Sequence, residues 1–171
     1  MQIRQLIPNF ANMAHEIEII DAGKTEKYSS LFPQLQELVA HESDNIANLA
    51  NIAAALKQQF NWLWVGFYLV KEDELVLGPF QGPVACTRIQ YGKGVCGKSW
   101  EDAAAVIVKD VNNFPGHIAC SSLSKSEIVV PIIQDDIVIG VLDVDSEYLE
   151  AFDNEDSVWL NKIVKLIFPN E

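Results

Sequence analysis

Cysteine is scarce in this chain. There are three in 171 residues, an odd number, with no C-x-x-C pair and no histidine at zinc-ligand spacing. That excludes a structural disulfide framework and a structural zinc site. Long hydrophobic runs are missing as well: the longest, residues 62–70, has nine residues, against the roughly 20 needed to cross a bilayer. Basic charge is in short supply, with 12 Lys and Arg against 24 Asp and Glu and a formal net charge of −12. A chain this acidic repels phosphate backbones and anionic lipid, which disfavours a nucleic-acid or membrane-surface role. The first residues carry no basic segment followed by an apolar one, so no signal peptide is read and a cytoplasmic location is expected.

What is present is a core. Apolar residues make up 49% of the chain, and a domain of this size buries about 70% of its unfolded surface. The length fits one domain. Residues 1–24 lack a clear period and read as an N-terminal arm; residues 25–171 form the domain. Residues 26–41 read as a helix, with Pro33 in its first turn or at a kink. In residues 44–60, Ile46, Leu49, Ile52, Ala53, Leu56 and Phe60 recur at helical spacing behind a Ser43 or Asp44 cap. Two strands, 62–70 and 74–77, follow as a hairpin. Residues 78–83, with glycine and proline at both ends, read as a loop. A strand at 85–90, a short helix at 95–105 and a strand at 106–108 come next, then a polar loop at 112–124. A second hairpin, 127–133 with 137–144, turns at Asp135-Asp136, and a helix from an Asp153 cap closes the chain. The expected class is α+β: a central antiparallel sheet with N-terminal and C-terminal helices packed against it.

The chemistry concentrates in three places. Cys96 opens the short helix in Gly-Val-Cys-Gly, where helix N–H groups favour a thiolate. Cys120 lies in the polar loop three residues after His117, which could orient or deprotonate it. Cys86 is the third thiol. On the last strand, Asp143 and Asp145 share the face of Ile139 and Val141, where bare carboxylates are costly unless they end the strand or serve a site. Glu127 starts the partner strand. Three acids at one sheet end could hold an ammonium group or a proton donor. That convergence depends on register. A two-residue turn alone would send Glu127 to the opposite face. A three-residue loop, or a bulge near Pro131, would set it across from Asp143. Trp62, Trp64 and Tyr68 share a face of their strand and Phe67 points away, serving either core packing or an aromatic wall. Gly92-Lys93-Gly94-Val95-Cys96-Gly97 formally matches G-x-G-x-x-G, but without a βαβ unit it reads as a tight turn into a helix.

Six blocks together resemble one family. They are Trp64-Val65-Gly66-Phe67-Tyr68, Leu77-Gly78-Pro79-Phe80-Gln81-Gly82, Gly92-Lys93-Gly94-Val95-Cys96-Gly97, Gly116-His117-Ile118-Ala119-Cys120, Ser126-Glu127-Ile128-Val129-Val130-Pro131 and Gly140-Val141-Leu142-Asp143-Val144-Asp145-Ser146. In this order they are similar to the free methionine-(R)-sulfoxide reductases, small stand-alone GAF-domain enzymes. The resemblance implies a GAF-like fold and thiol-dependent reduction of free methionine-(R)-sulfoxide, without metal or organic cofactor. It implies Cys120 as the catalytic thiol, Cys86 as the resolving one and Cys96 as an alternative partner. It further implies Glu127, Asp143 and Asp145 as substrate-binding acids, Trp64 and Tyr68 as an aromatic wall, thioredoxin as reductant and a homodimer. The competing reading is a GAF module that binds a small molecule such as a cyclic nucleotide without turnover.

Overall fold

A computed structural model describes residues 16–118 and 121–167. The elements are α1 (Lys24–Ala40), α2 (Asn45–Phe60), β1 (Trp64–Lys71), β2 (Glu74–Gln81), β3 (Arg88–Gln90), α3 (Gly94–Asp102), β4 (Val106–Val108), β5 (Ser126–Gln134), β6 (Ile137–Ser146) and α4 (Asn154–Ile167), with one 3-10 turn at Val111–Asn113. The strands form a six-stranded antiparallel sheet in the order β3-β2-β1-β6-β5-β4.

Strand alternation divides the side chains into two layers. Val65 and Phe67 of β1, Ile128, Val130 and Ile132 of β5, and Leu142 and Val144 of β6 face helices α1, α2 and α4. Trp64 and Tyr68, Val129 and Val141 face the other way, toward α3 and the loops around it. The first layer is the main core, where each fully buried Leu or Ile contributes about 1.5–3 kcal/mol. The second layer is thinner and carries the polar chemistry.

The helix ends follow local chemistry. Asp44 caps α2, its Oδ1 accepting from the N–H groups of Ile46 and Ala47. At α4, Asp153 accepts from the Glu155 N–H while Asp156 accepts from the Asp153 N–H, a reciprocal cap. Lys24 of α1 donates to both Asp153 and Asp156, and the Tyr28 hydroxyl donates to Asp156 at 2.8 Å. The first and last helices are thus joined through one buried carboxylate.

Several boundaries differ from the sequence reading. Pro33 sits in the interior of α1, not in its first turn. Strand β2 runs on through Gln81, across the stretch read as a loop. It accommodates Pro79 with a bulge: Gly66 pairs with Phe80 but Tyr68 pairs with Leu77, so a residue that cannot donate falls where the ladder is interrupted. Strand β3 shrinks to three residues, leaving Cys86 in irregular backbone. Trp62 precedes β1 and packs with Phe60 and Phe152 in the helical layer, so it does not share the face of Trp64 and Tyr68. Of the N-terminal arm, residues 16–24 are described, and Lys24 already opens α1; Glu18 and Ile20 exchange hydrogen bonds with Gln34 of α1 and Gln59 of α2.

Candidate active site

The β5–β6 hairpin decides where the acids go. Asp135 and Asp136 both adopt positive φ, 50° and 61°, the geometry of a two-residue type I′ turn, and Gln134 pairs with Ile137. Left regular, that register would put Glu127 on the helical face. The ladder instead shifts once: Ile133 pairs with Val138, but Ile132 pairs with Gly140. Ile139 is the extra residue. Beyond this bulge Glu127 pairs with Asp145, and Val129 with Asp143. The expected bulge near Pro131 is therefore present, between Ile132 and Ile133 of the ladder, with its extra residue on β6. Its placement sets Glu127 across from Asp145, not Asp143.

The adjoining strand completes the row. Trp64 pairs with Asp145 and Gly66 with Asp143. Side chains that pair directly project to the same face, so Trp64, Tyr68, Glu127, Asp143 and Asp145 all line one cleft, together with Cys96, His117, Ile118 and Ser124. Five of the eight site residues expected from the sequence converge here, and Cys96 makes a sixth. Cys86 lies beside the cleft: Ala85 lines it, and the Cys86 carbonyl accepts from the Tyr68 hydroxyl at 3.0 Å. Cys86 is disulfide-bonded. Cys120 lies outside the described residues.

Electrostatically the cleft is unusual. Glu127 and Asp143 are 6% and 7% exposed, and a carboxylate oxygen of each lies within 4.8 Å of the other and of the Cys96 sulfur. Burial pushes the Glu127 carboxyl well up, reinforced by Asp145. It pushes Asp143 up too, reinforced by Glu127 and Asp145. Both are thereby driven toward the protonated form. Asp145 is raised by burial, against the pull of the Ser124 hydroxyl and the His117 imidazole. Ser124 donates to Asp145 Oδ1 in a short hydrogen bond, and His117 Nε2 stands 3.6 Å from Glu127 Oε2. One oxygen, Asp143 Oδ1, is buried with no hydrogen-bond partner among the described residues. Such a group normally marks a place where a donor arrives.

One expectation changes. Cys96 does sit in the first turn of α3, but its surroundings disfavour a thiolate. It is 2% exposed, and burial, then Asp143 and Glu127, push its thiol well up. Desolvation and two neighbouring acids outweigh a partial helix charge. The glycines around it are structural: a Cβ on Gly97 would lie 2.5 Å from the Gln90 carbonyl oxygen, so this glycine lets α3 sit directly on β3. Ser124 was missed from the sequence, because its partner lies 21 residues further on and nothing local marks it.

Comparison with known proteins decides the family. The GAF domain family matches residues 44–167. GAF domain-containing protein A of Dictyostelium discoideum is 58% identical over 156 residues, covering 91% of this chain and 99% of its own. Free methionine-R-sulfoxide reductase of Saccharomyces cerevisiae is 47% identical over 154 residues, covering 85% of this chain and 86% of its own. The X-ray structure of the Neisseria meningitidis free methionine-R-sulfoxide reductase, in complex with its substrate, superposes with a TM-score of 0.88. It is 53% identical, with 90% of this chain and 93% of that one covered.

The chain belongs to the free methionine-R-sulfoxide reductase family of GAF-domain proteins. In this member of the family the cleft between the sheet and α3 is the one place where buried acids, aromatic rings and a disulfide-bonded cysteine meet among the described residues.

Proposed function

We propose that this chain reduces free L-methionine-(R)-sulfoxide to L-methionine. The observation that carries the reading is the convergence of Glu127, Asp143 and Asp145 on one aromatic-walled cleft, in a chain 53% identical to a reductase solved with its substrate. Asp145, partnered by Ser124, takes the substrate's α-ammonium, a group that methionine inside a protein lacks. Trp64 and Tyr68 flank the apolar methylsulfinyl end. Glu127 and Asp143 are held toward their acid forms and supply a proton to the sulfoxide oxygen.

Cys120 is the proposed nucleophile. Its thiolate attacks the sulfoxide sulfur while the carboxylic acid protonates the oxygen. The attack joins the Cys120 sulfur to the substrate sulfur; this S–S bond and the substrate's S–O bond then break as the protonated oxygen passes to Cys120, which becomes a sulfenic acid while methionine leaves. The Cys86 thiol then attacks the sulfenic sulfur, and the hydroxyl departs as water with the thiol's proton, leaving a disulfide. That Cys86 is disulfide-bonded and Cys96 is free and buried supports this pairing over one with Cys96. A dithiol reductant such as thioredoxin returns both cysteines to thiols and becomes a disulfide itself. The scheme uses no metal or organic cofactor. The same reading has the enzyme act as a homodimer in the cytoplasm; no helix among the described residues is long and apolar enough to cross a membrane.

Single-turnover methionine release from reduced variants tests the assignment. Cys120→Ser should release none. Cys86→Ser should release about one methionine per site and then stall with thioredoxin. Full release from Cys120→Ser would overturn the scheme.

A further inference from the structure

The aromatic wall has a second set of contacts, with the segment that carries Cys86 and whose Pro83, Val84 and Ala85 also line the cleft. The segment joining β2 to β3 is irregular, and Gly82, Pro83 and Val84 are exposed, Val84 to 87%. Two side-chain hydrogen bonds hold it. Trp64 Nε1 donates to the Pro83 carbonyl at 3.1 Å, and the Tyr68 hydroxyl donates to the Cys86 carbonyl at 3.0 Å. Both donors come from the rings that line the cleft, which stack on each other at 5.9 Å. The rings are themselves fixed. Tyr68 is 1% and Trp64 5% exposed. A Cβ on Gly66 would lie 2.3 Å from the Trp64 ring and one on Gly82 2.7 Å, so these glycines let the indole lie against the sheet. Each ring thus lines the pocket and also donates a hydrogen bond to the backbone segment that carries Cys86.

We propose that Tyr68 is a positioning residue for disulfide formation: its hydroxyl, through the Cys86 carbonyl, holds Cys86 beside the cleft for its attack on the sulfenic acid. The inference rests on the thiol scheme above. The step it governs is the attack of the Cys86 thiol on the sulfenic sulfur, with loss of water. Irregular backbone samples many conformations, and a sulfur attacks only from a narrow range of them. Anchoring the carbonyl of the reacting residue removes much of that search. Because the anchor belongs to a pocket wall, the site that reduces the substrate also holds the thiol that resolves the product of its own oxidation.

The test is a single turnover of the reduced enzyme with limiting methionine-(R)-sulfoxide and no reductant, in the presence of dimedone. The readout is trapped sulfenic acid per methionine released. Weaker substrate binding lowers both amounts together and leaves this ratio unmoved. Tyr68→Phe, which keeps the ring, should raise the ratio about fivefold or more, the effect of losing one hydrogen bond. Trp64→Phe loses only the bond at Pro83, further from the thiol, and should raise it less. A Tyr68→Phe ratio equal to wild type overturns the inference while leaving the scheme intact. In Cys86→Ser the ratio should approach one; continued turnover of that variant with thioredoxin would overturn the scheme and the inference with it.

Discussion

Glu127 on β5 stands directly across from Asp145 on β6, and the pairing exists because Ile139 is left out of the ladder. The bulge reconciles two demands. The Asp135-Asp136 turn closes the hairpin in one parity, and the pairing of β6 with β1 and β5 requires the other. Removing Ile139 would therefore make the ladder regular without moving Gly140 off Ile132 or Leu69.

The first prediction follows from that register. Deleting Ile139 should keep the fold and the activity, at a loss of about 1–2 kcal/mol from its partial burial. Inserting one residue between Asp135 and Asp136 in the same variant should restore an extra residue at the turn and again leave the acids convergent. Urea melts and steady-state rates read both. A deletion variant that is folded but inactive would show that the bulge itself shapes the site.

The second concerns pH and stability. Burial raises Glu127 and Asp143 above their ordinary values of 4.5 and 3.8. A raised carboxyl favours the fold while both states are protonated. That contribution is full below the unfolded-state value and is lost as pH rises through the folded one. Asp143→Asn should thus melt higher than wild type at pH 8, on the order of 3–8 °C, while its activity falls at least about 100-fold. The gap in melting temperature should close as the pH is lowered below 4. A variant less stable than wild type at pH 8 would mean that Asp143 is an ionised, well-paired group.

The third concerns Cys96. A thiol that is 2% exposed and pushed up by burial and two acids is a poor nucleophile. Iodoacetamide should modify it at least about 100-fold more slowly in the folded protein than in urea, and Cys96→Ser should keep turning over with thioredoxin. Loss of steady-state turnover in Cys96→Ser, with methionine release intact, would make Cys96 the resolving thiol.

Much of this was legible in the sequence because it is periodic or local. The spacing of Leu49, Ile52, Ala53 and Leu56 marked α2, and the Asp44 and Asp153 caps are visible as single residues. Period-two alternation put Asp143 and Asp145 on one face, and the turn residues located the second hairpin. Other features are set by distant partners. The bulge at Ile139 is imposed by pairing on both sides of β6, and Pro79 is tolerated within β2 because the ladder breaks there. Trp62 left its expected face because β1 starts two residues later, where the chain leaves the helical layer. Ser124 becomes part of the site only when β6 brings Asp145 beneath it. Cys96 had the right local signal for a thiolate, and the two acids that reverse it come from other strands.

The most direct test of the account is NADPH consumption with thioredoxin and thioredoxin reductase, run on separated substrates. The three-acid cleft is read as a seat for a free α-ammonium beside one face of the sulfoxide. Free methionine-(R)-sulfoxide should be turned over, and the S epimer and N-acetylmethionine-(R)-sulfoxide should each react at least about 100-fold more slowly in kcat/KM. Equal rates on both epimers, or on the substrate with a blocked amine, would contradict it.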